Sequence, residues 1–202
     1  MKIVRWIVLN FLMFVGISVC YAGLQPISAV DQNVFSHVQI QLSRADALTG
    51  HFKQVRKMRL LSKPLISEGN FVLSKKNGLR WYQVSPFKST LIVTSDKIEQ
   101  KIGNAPAMVI TKKEQPIVFS FTKIFLSLFN GNTKSVEGYF SIYFRGNTKA
   151  WEIVLKPIGS PLNKAIASIE MSGGLNINSI TINEAKNNQM ILYFSHVKEL
   201  TL

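Results

Sequence analysis

The alternation of apolar and polar residues between positions 67 and 94 constrains the fold more than any other part of the chain. Phe71 and Leu73 fall on one face of a first strand, because side chains alternate with a period of two along a strand. Segment 75–78 ends in Asn-Gly, a pair that tolerates positive φ, so it predicts a tight antiparallel hairpin. Three residues of the second strand share a face: Leu79, Trp81 and Gln83.

A third strand extends this hairpin into a meander. Pro86 cannot donate a ladder hydrogen bond, so it separates the second strand from a third one at 90–94. Residues 97–101 and 107–111 predict two further short strands, and the segment around Phe52 is also strand-like. The N-terminal half of the chain is therefore predicted to be mostly antiparallel sheet.

A Gly-x-Phe-x-Leu strand at 69–73 is followed by a basic turn, by Leu-Arg-Trp at 79–81 and by Pro86. This order of motifs resembles the signature region of the LolA-like family, the periplasmic outer-membrane lipoprotein carrier proteins. In that family the turn and second strand commonly read Arg-Pro-Gly-x-Phe-Arg-Trp, and residues 75–81 stand in that place here. The Gly-x-Phe-x-Gln pattern at 50–54 is also similar to the start of the family's first strand.

The resemblance implies both a fold and an activity. LolA-like proteins have an incomplete antiparallel barrel with a helical lid, and they carry acyl chains inside it. We therefore expect a mainly β fold with some α structure, in which a half-open antiparallel β-barrel is covered by two or three helices and encloses an apolar cavity. The sequence is consistent with this, since its strands carry large apolar residues on both faces while few helices are available to cover them.

The first 22 residues predict a secretory signal peptide. A short basic stretch at 1–6 precedes an apolar run at 7–19, and small residues follow up to Ala22. We expect cleavage after Ala22, which gives a periplasmic protein with a single carrier domain over 23–202. Two alternatives stay open. One is a membrane anchor, although the run is shorter than the about 20 apolar residues of a span; the other is acylation of Cys20, which would fix the protein in a membrane.

Charge and cysteine content narrow the possible classes further. The 24 basic and 11 acidic residues give a net charge of +13, which predicts attraction to anionic surfaces. Secretion argues against nucleic acid as the partner. Cys20 is the only cysteine, so the secreted domain forms no disulfide and depends on an apolar core. Four basic residues are interpreted as a solvated strand face or as a surface that docks anionic headgroups or an acidic partner: Lys53, Arg56, Lys57 and Arg59.

Two helices are predicted to cover the sheet. Val34, Val38 and Leu42 recur every four residues within 29–44, which is typical of one apolar helix face. Segment 117–130 is apolar on nearly all sides and is bounded by a proline and an Asn-Gly pair. We expect this second helix to lie in the mouth of the sheet as a lid. A fully buried core helix is the alternative.

The C-terminal part of the chain returns to strand patterns. Residues 139–144 and 150–155 predict a hairpin around a turn at 145–148, and a short helix is expected from Ser160 to about Ala167. Three further strands complete the set: 166–171, 175–182 and 189–195. Roughly eight to eleven short antiparallel strands with two or three helices are typical of a barrel or an open half-barrel.

Recognisable catalytic motifs do not occur in the sequence. The histidines His37, His51 and His196 have no spacing that makes a metal site. No nucleophile elbow, phosphate-binding loop or paired-cysteine motif is found either. We therefore expect a monomeric binding protein that is not an enzyme, with no metal and no cofactor.

The predicted function is that of a periplasmic carrier that ferries a lipoprotein or other lipid from an inner-membrane donor protein to an outer-membrane acceptor protein. An envelope lipid-sensing or protein-binding scaffold of the same fold is one alternative, and a membrane-anchored LolB-like acceptor is another. The residues expected to line the lipid-binding cavity are Phe52, Phe71, Leu73, Leu79 and Trp81. The residues expected to form the lid are Phe121, Ile124, Phe125 and Leu128.

Overall fold

In the computed structural model, the described residues are 25–26, 32–111, 113–114, 126–127 and 137–200. The predicted signal peptide lies outside them. So do the four residues of the predicted lid: Phe121, Ile124, Phe125 and Leu128.

Strands make up most of the described chain. The helices that lie wholly within the described residues are α1, Gln32–Leu42, and a short 3₁₀-helix η1, Leu162–Lys164. Within the described residues the strands are β1 Gln25–Pro26, β2 Ala47–Lys57, β3 Leu65–Ser74, β4 Gly78–Ser85, β5 Ser89–Val93, β6 Lys97–Ile102, β7 Met108–Thr111, β8 Phe140–Asn147, β9 Ala150–Pro157, β10 Ile166–Gly173, β11 Ile177–Glu184 and β12 Gln189–Glu199.

These strands form one antiparallel sheet in the order β1-β8-β9-β10-β11-β12-β2-β3-β4-β5-β6-β7. Strands β8 to β12 and β2 to β7 each pair with the next strand along the chain, so two meanders join where β12 pairs with β2. Over the described residues, the outermost strands β1 and β7 have a neighbour on one side only, and the sheet is open. The prediction of a mainly β fold with an unclosed antiparallel sheet is confirmed.

One face of the sheet is apolar across both meanders and forms the core. Along β9, for example, Ile153 and Leu155 are buried while Glu152 and Lys156 project from the opposite face. This follows from the period-two alternation of a strand. We call the buried side the inner face. Its buried apolar members include, in order around the sheet, Phe140, Ile142, Phe144, Trp151, Ile153, Leu155, Ile169, Met171, Ile180, Leu192, Phe194, Phe52, Phe71, Leu73, Leu79, Val93 and Ile98.

Helix α1 lies against this inner face. Phe35 and Val38 are its buried residues, and the Phe35 ring packs edge-on against Phe144 of β8 with 5.3 Å between centroids. The apolar period of the sequence thus marks the face of α1 that meets the sheet. None of the helices among the described residues is both long and apolar enough to span a bilayer.

The C-terminal end of α1 is held by a shared hydrogen-bond acceptor. Gln41 Nε2 donates to the carbonyl oxygen of Gly174 at 2.5 Å, and Trp151 Nε1 donates to the same oxygen at 2.8 Å. Gly174 belongs to the turn between β10 and β11, so this carbonyl ties the helix, β9 and that turn together.

The structure differs from the sequence expectations in three places. Of the predicted helix 29–44, the described part that is helical is Gln32–Leu42. Strand β8 continues through Asn147, so the turn falls at 148–149 instead of 145–148. The helix expected from Ser160 to Ala167 is wrong in extent, because only Leu162–Lys164 is helical and β10 begins at Ile166, whose side chain is buried in the core.

Candidate functional site

Four aromatic rings meet on the inner face where β12, β2, β3 and β4 lie side by side. Phe52 and Trp81 stack with centroids 3.6 Å apart and planes inclined by 23°. Phe194 makes edge-to-face contacts with Phe71 at 5.4 Å and with Trp81 at 6.3 Å. Each such contact contributes about 0.5–1.5 kcal/mol beyond simple burial. We call Phe52, Phe71, Trp81 and Phe194 the aromatic cluster.

A pair of glycines makes room for these rings. Phe52 pairs directly with Gly69 across β2 and β3, and Gly50 pairs with Phe71. A Cβ at Gly69 would lie 2.9 Å from Phe52 Cε1, and a Cβ at Gly50 would lie 2.9 Å from Phe71 Cε1. The Phe52 ring can therefore cross β3 above Gly69 and reach Trp81 on β4. The two Gly-x-Phe motifs of the sequence pair with each other, and each glycine accommodates the other strand's aromatic ring.

All five residues predicted to line a cavity lie together on the inner face. Phe52, Phe71, Leu73 and Leu79 are buried, and Trp81 is half-buried and packs against the same core. The cross-strand register places Phe71 opposite Trp81 and Leu73 opposite Leu79. The strand faces assigned from the alternation pattern are therefore those of the structure.

Sequence reasoning missed two members of this region, Phe194 and Leu91. Leu91 is the cross-strand partner of Trp81 on β5, and Phe194 pairs with Phe52 across β12 and β2. Alternation within 189–195 would have placed Phe194 on an apolar strand face. Nothing local to that segment indicates that β12 pairs with β2, which begins more than a hundred residues earlier.

The four residues of the predicted lid lie outside the described residues. Their neighbour Leu126 is described. Leu126 is half-buried and packs against the apolar core.

Among the described residues, a small hollow lies between the end of α1 and the aromatic cluster. The hollow beside Phe71 and Phe194 measures about 10 Å³, which is about the smallest space that holds one water molecule. It is lined by Leu42, Leu48, Phe71, Asn176, Ile177, Phe194 and Val197. At this position the described side chains close on one another, so an acyl chain could enter only if they moved apart.

The inner face becomes polar toward one end of β2 and β3. Gln54 and Arg56 follow Phe52 on β2, and Ser67 pairs with Gln54 across the two strands. Arg56 Nη2 lies 2.9 Å from Glu184 Oε1. Ser67 is 8% exposed, and its Oγ has no hydrogen-bond partner. A buried hydroxyl without a partner costs about 1–3 kcal/mol, so a ligand atom that accepted a hydrogen bond from Ser67 Oγ would gain free energy there.

On the opposite face of the sheet, two histidines that are distant in sequence meet. The rings of His51 and His196 have centroids 5.1 Å apart, and both side chains are exposed. Within the part of the chain that the structure describes, no third metal-ligating side chain joins them in a cluster of three or more.

One comparison with known proteins matches most of this chain. A family model described as outer membrane lipoprotein carrier protein LolA-like matches residues 25–188. The chain belongs to this LolA-like family. The match includes every strand except β12, and it covers both Gly-x-Phe motifs and all of the predicted wall residues. No curated protein matches the LolA-like chain at a significant level.

Solved structures also align with this LolA-like chain. A LolA superfamily protein from Nitrosomonas europaea aligns with a TM-score of 0.46 and 7% identity, over 85% of this chain and 94% of its own. A proposed outer membrane lipoprotein-sorting protein domain from Vibrio parahaemolyticus aligns with a TM-score of 0.40 and 6% identity, over 83% of this chain and 91% of its own.

Proposed function

We propose that this LolA-like protein is a periplasmic carrier that binds the acyl chains of a lipoprotein or another lipid on the inner face of its sheet. It would take this cargo from an inner-membrane donor protein and pass it to an outer-membrane acceptor protein. The observation that carries the proposal is the aromatic cluster, an apolar surface centred on Phe52, Phe71 and Trp81 within a member of a lipoprotein-carrier family.

Binding on this surface would be driven by the transfer of hydrocarbon out of water. Each buried methylene gains about 0.8 kcal/mol, so contact with even part of an acyl chain gives a substantial affinity. Trp81 is the half-buried member of the predicted wall, and it is the residue from which an entering chain would first displace water. Phe71, Leu73, Leu79 and Phe52 would form the floor beneath it.

The small hollow indicates how binding and release would be coupled. The described side chains leave space for about one water molecule next to Phe71 and Phe194, so we propose that a covering element moves away when an acyl chain enters there. We propose that the segment with Phe121, Ile124, Phe125 and Leu128 is that element. A ligand that binds the open state shifts the population toward it, and an acceptor with higher affinity for the cargo allows the protein to close.

The polar patch of the inner face formed by Gln54, Arg56 and Ser67 would hold the part of the cargo that stays hydrated. Ser67 Oγ lies beside the apolar floor and has no partner in the protein, and Gln54 is directly opposite. An ester or amide carbonyl of the lipid could accept a hydrogen bond from the Ser67 hydroxyl. Replacement of Ser67 by Ala should leave the free energy of unfolding of the empty protein unchanged or raised by about 1 kcal/mol, because it removes an unsatisfied buried group.

A matched pair of variants on β5 tests the proposal. Leu91→Glu places a carboxylate beside Trp81 on the inner face, whereas Ile92→Glu places it on the opposite face one residue later. Both positions are half-buried, so the cost to folding should be similar. We expect Leu91→Glu to abolish binding of a fluorescent fatty acid and Ile92→Glu to retain it. Equal loss in the two variants would contradict an inner-face site.

A spectroscopic experiment locates the ligand. In Trp151→Phe, Trp81 is the only tryptophan of the chain after residue 22. A dibrominated fatty acid should quench its fluorescence strongly. In Trp81→Phe the remaining Trp151 is 3% exposed and hydrogen-bonded to Gly174, so quenching should be weak.

Native mass spectrometry of protein from the periplasm distinguishes a carrier from a scaffold, since a scaffold should carry no lipid. Diacylglycerol on Cys20 would identify a membrane-anchored acceptor instead.

A further inference from the structure

We propose that one end of the sheet docks on an anionic lipid bilayer. The loops after β2, β4, β6, β9 and β11 all lie at this end, because successive antiparallel strands return the chain to it. Two hydrogen bonds join neighbouring loops here: Arg59 N donates to Asn188 Oδ1 at 3.0 Å, and Ala185 N donates to the Ala165 carbonyl at 3.0 Å. We call this end the apolar rim.

Exposed large apolar side chains concentrate on the apolar rim. Leu60, at the tip of the loop between β2 and β3, is 83% exposed, the highest value among the exposed large hydrophobic residues of the described chain. Exposed large apolar residues lie at the ends or at the tips of the loops after β2, β4, β6 and β9. They include Leu60, Leu61, Phe87, Ile102, Met108 and Ile158. Several exposed apolar residues on separate neighbouring loops mark an interaction surface, whereas isolated ones are ordinary.

Basic side chains lie between these apolar ones, and they are free of ion pairs. No salt bridge within the described part of the chain involves the exposed rim residues Lys57, Arg59, Lys63, Lys88 and Lys101. Two carboxylates of the described chain lie close to the rim loops. Glu184, at the end of β11, already pairs with Arg56 and accepts a hydrogen bond from Asn188, and the exposed Glu137 precedes β8. The rim therefore presents uncompensated positive charge around apolar side chains.

This combination fits a bilayer with anionic headgroups better than the other partners. Apolar loop tips can enter the boundary between headgroups and acyl chains while Lys and Arg remain at the phosphates. A second copy of the chain fits poorly, because a two-fold contact would bring two clusters of unpaired cations together. Docking in this way goes beyond acyl-chain binding on the inner face, and it does not depend on that function.

Vesicle flotation with protein purified from the periplasm tests the proposal. We expect binding to phosphatidylcholine vesicles that contain phosphatidylglycerol, weaker binding as salt is raised, and little binding to phosphatidylcholine alone. The variant Leu60→Ser, Leu61→Ser, Phe87→Ser should lose at least about tenfold in partition coefficient. The charge variant Arg59→Gln, Lys63→Gln, Lys88→Gln should lose on the order of a hundredfold, since each charge near an anionic surface contributes about fivefold.

Matched controls come from the other end of the sheet. Leu175→Ser removes an apolar side chain that is 70% exposed there. The variant Arg44→Gln, Lys76→Gln, Lys149→Gln removes the same number of charges as the rim variant, from exposed positions. Both controls should bind vesicles within about twofold of the parent protein, since the bilayer potential falls off within a Debye length.

Three outcomes would overturn the proposal. The first is an absence of binding to anionic vesicles, and the second is an equal loss of binding in the control variants. The third is a dimer that dissociates when the apolar rim residues are replaced, in a protein that binds no vesicles. A second copy of the chain would then be the partner of the rim. A fatty-acid binding assay in solution separates this proposal from the carrier function. Rim variants should bind the fatty acid normally, and Leu91→Glu should still bind vesicles.

Discussion

The two ends of the sheet differ in what their loops are made of. The polar end, with the turns after α1, β3, β5, β8 and β10, is built from residues such as Asn, Gly, Asp and Lys, and it contains the ion pair of Lys75 and Asp46. The apolar rim carries Leu, Phe, Ile and Met in the loops after β2, β4, β6 and β9. Both ends close hairpins of the same sheet, so the requirements of turn geometry do not explain the difference.

This contrast indicates that the polar end contributes more to the stability of the fold than the apolar rim does. At the polar end, turn residues make contacts that the sheet needs, such as the Gly174 carbonyl that accepts from Gln41 and Trp151. At the apolar rim, side chains such as Leu60 extend into solvent and stabilise little. We therefore expect substitutions at the polar end to lower stability, and substitutions at the rim to change interactions with other molecules instead.

The largest difference between the ends should appear at two glycines. Gly78, the first residue of β4 after the turn from β3, has φ of +74°, and a Cβ there would lie 2.1 Å from the Val93 carbonyl oxygen. Gly78→Ala should lower the free energy of unfolding by about 2–3 kcal/mol. Gly103, in the rim loop after β6, has φ of +54° and no atom within 4 Å of such a Cβ. Gly103→Ala should cost only about 1 kcal/mol, and equal costs in urea denaturation would remove the contrast.

The shared acceptor at the polar end should give the next largest effect. Trp151→Phe removes the Nε1 hydrogen bond to Gly174 and should cost about 1 kcal/mol, since Gln41 still donates to that oxygen. Adding Gln41→Met leaves the carbonyl without either donor. A double-mutant cycle should therefore give a cost larger than the sum of the single costs. Simple additivity would mean that the two donors act independently.

Removal of an apolar side chain from the rim should have almost no effect on stability. Leu60→Ser should change the free energy of unfolding by less than about 0.5 kcal/mol, because Leu60 is 83% exposed. Thermal denaturation measures this directly. A loss of more than about 1 kcal/mol would show that the rim packs against another part of the chain and is not a free surface.

The smallest effect concerns a carboxylate that follows β7 at the polar end. Glu114 Oε2 accepts hydrogen bonds from the backbone N and from the Oγ1 of Thr111, both at 2.8 Å, and these bonds lower the pKa of Glu114. Because the folded pKa is depressed, the contribution to stability is present above the ordinary pKa and is lost as pH falls. An NMR titration should place the pKa of Glu114 below 4.5, and Thr111→Val should raise it.

The sequence predicted the half of the fold where pairing is local. The hairpin between β3 and β4, and the faces of Phe71 and Trp81, follow from alternation around a turn of known chemistry. The junction of β12 with β2 could not be predicted, because partners such as Phe194 and Phe52 are brought together by the whole sheet and not by a nearby turn. The same limit explains why His51 and His196 were not predicted to meet.

Only part of the candidate site could be predicted, because the rest depends on contacts between distant parts of the chain. Wall residues on β2, β3 and β4 share a face that the period reveals, while the free hydroxyl of Ser67 can only be recognised once its neighbours are known. The predicted helix at 160–167 failed because Ile166 is required by the core as the first residue of a strand. The capping residues favour a helix that starts near Ser160, but burial of the Ile166 side chain in the core ends that helix before Ile166.

The stacked rings of Phe52 and Trp81 give the protein an intrinsic optical signal. The Trp81 ring is held against the Phe52 ring with centroids 3.6 Å apart and planes inclined by 23°, and this fixed asymmetric environment should give Trp81 a near-ultraviolet circular dichroism band. Separation of the rings by an inserted hydrocarbon would remove that band. The loaded and empty forms could then be distinguished, and the exchange between them timed, without any label.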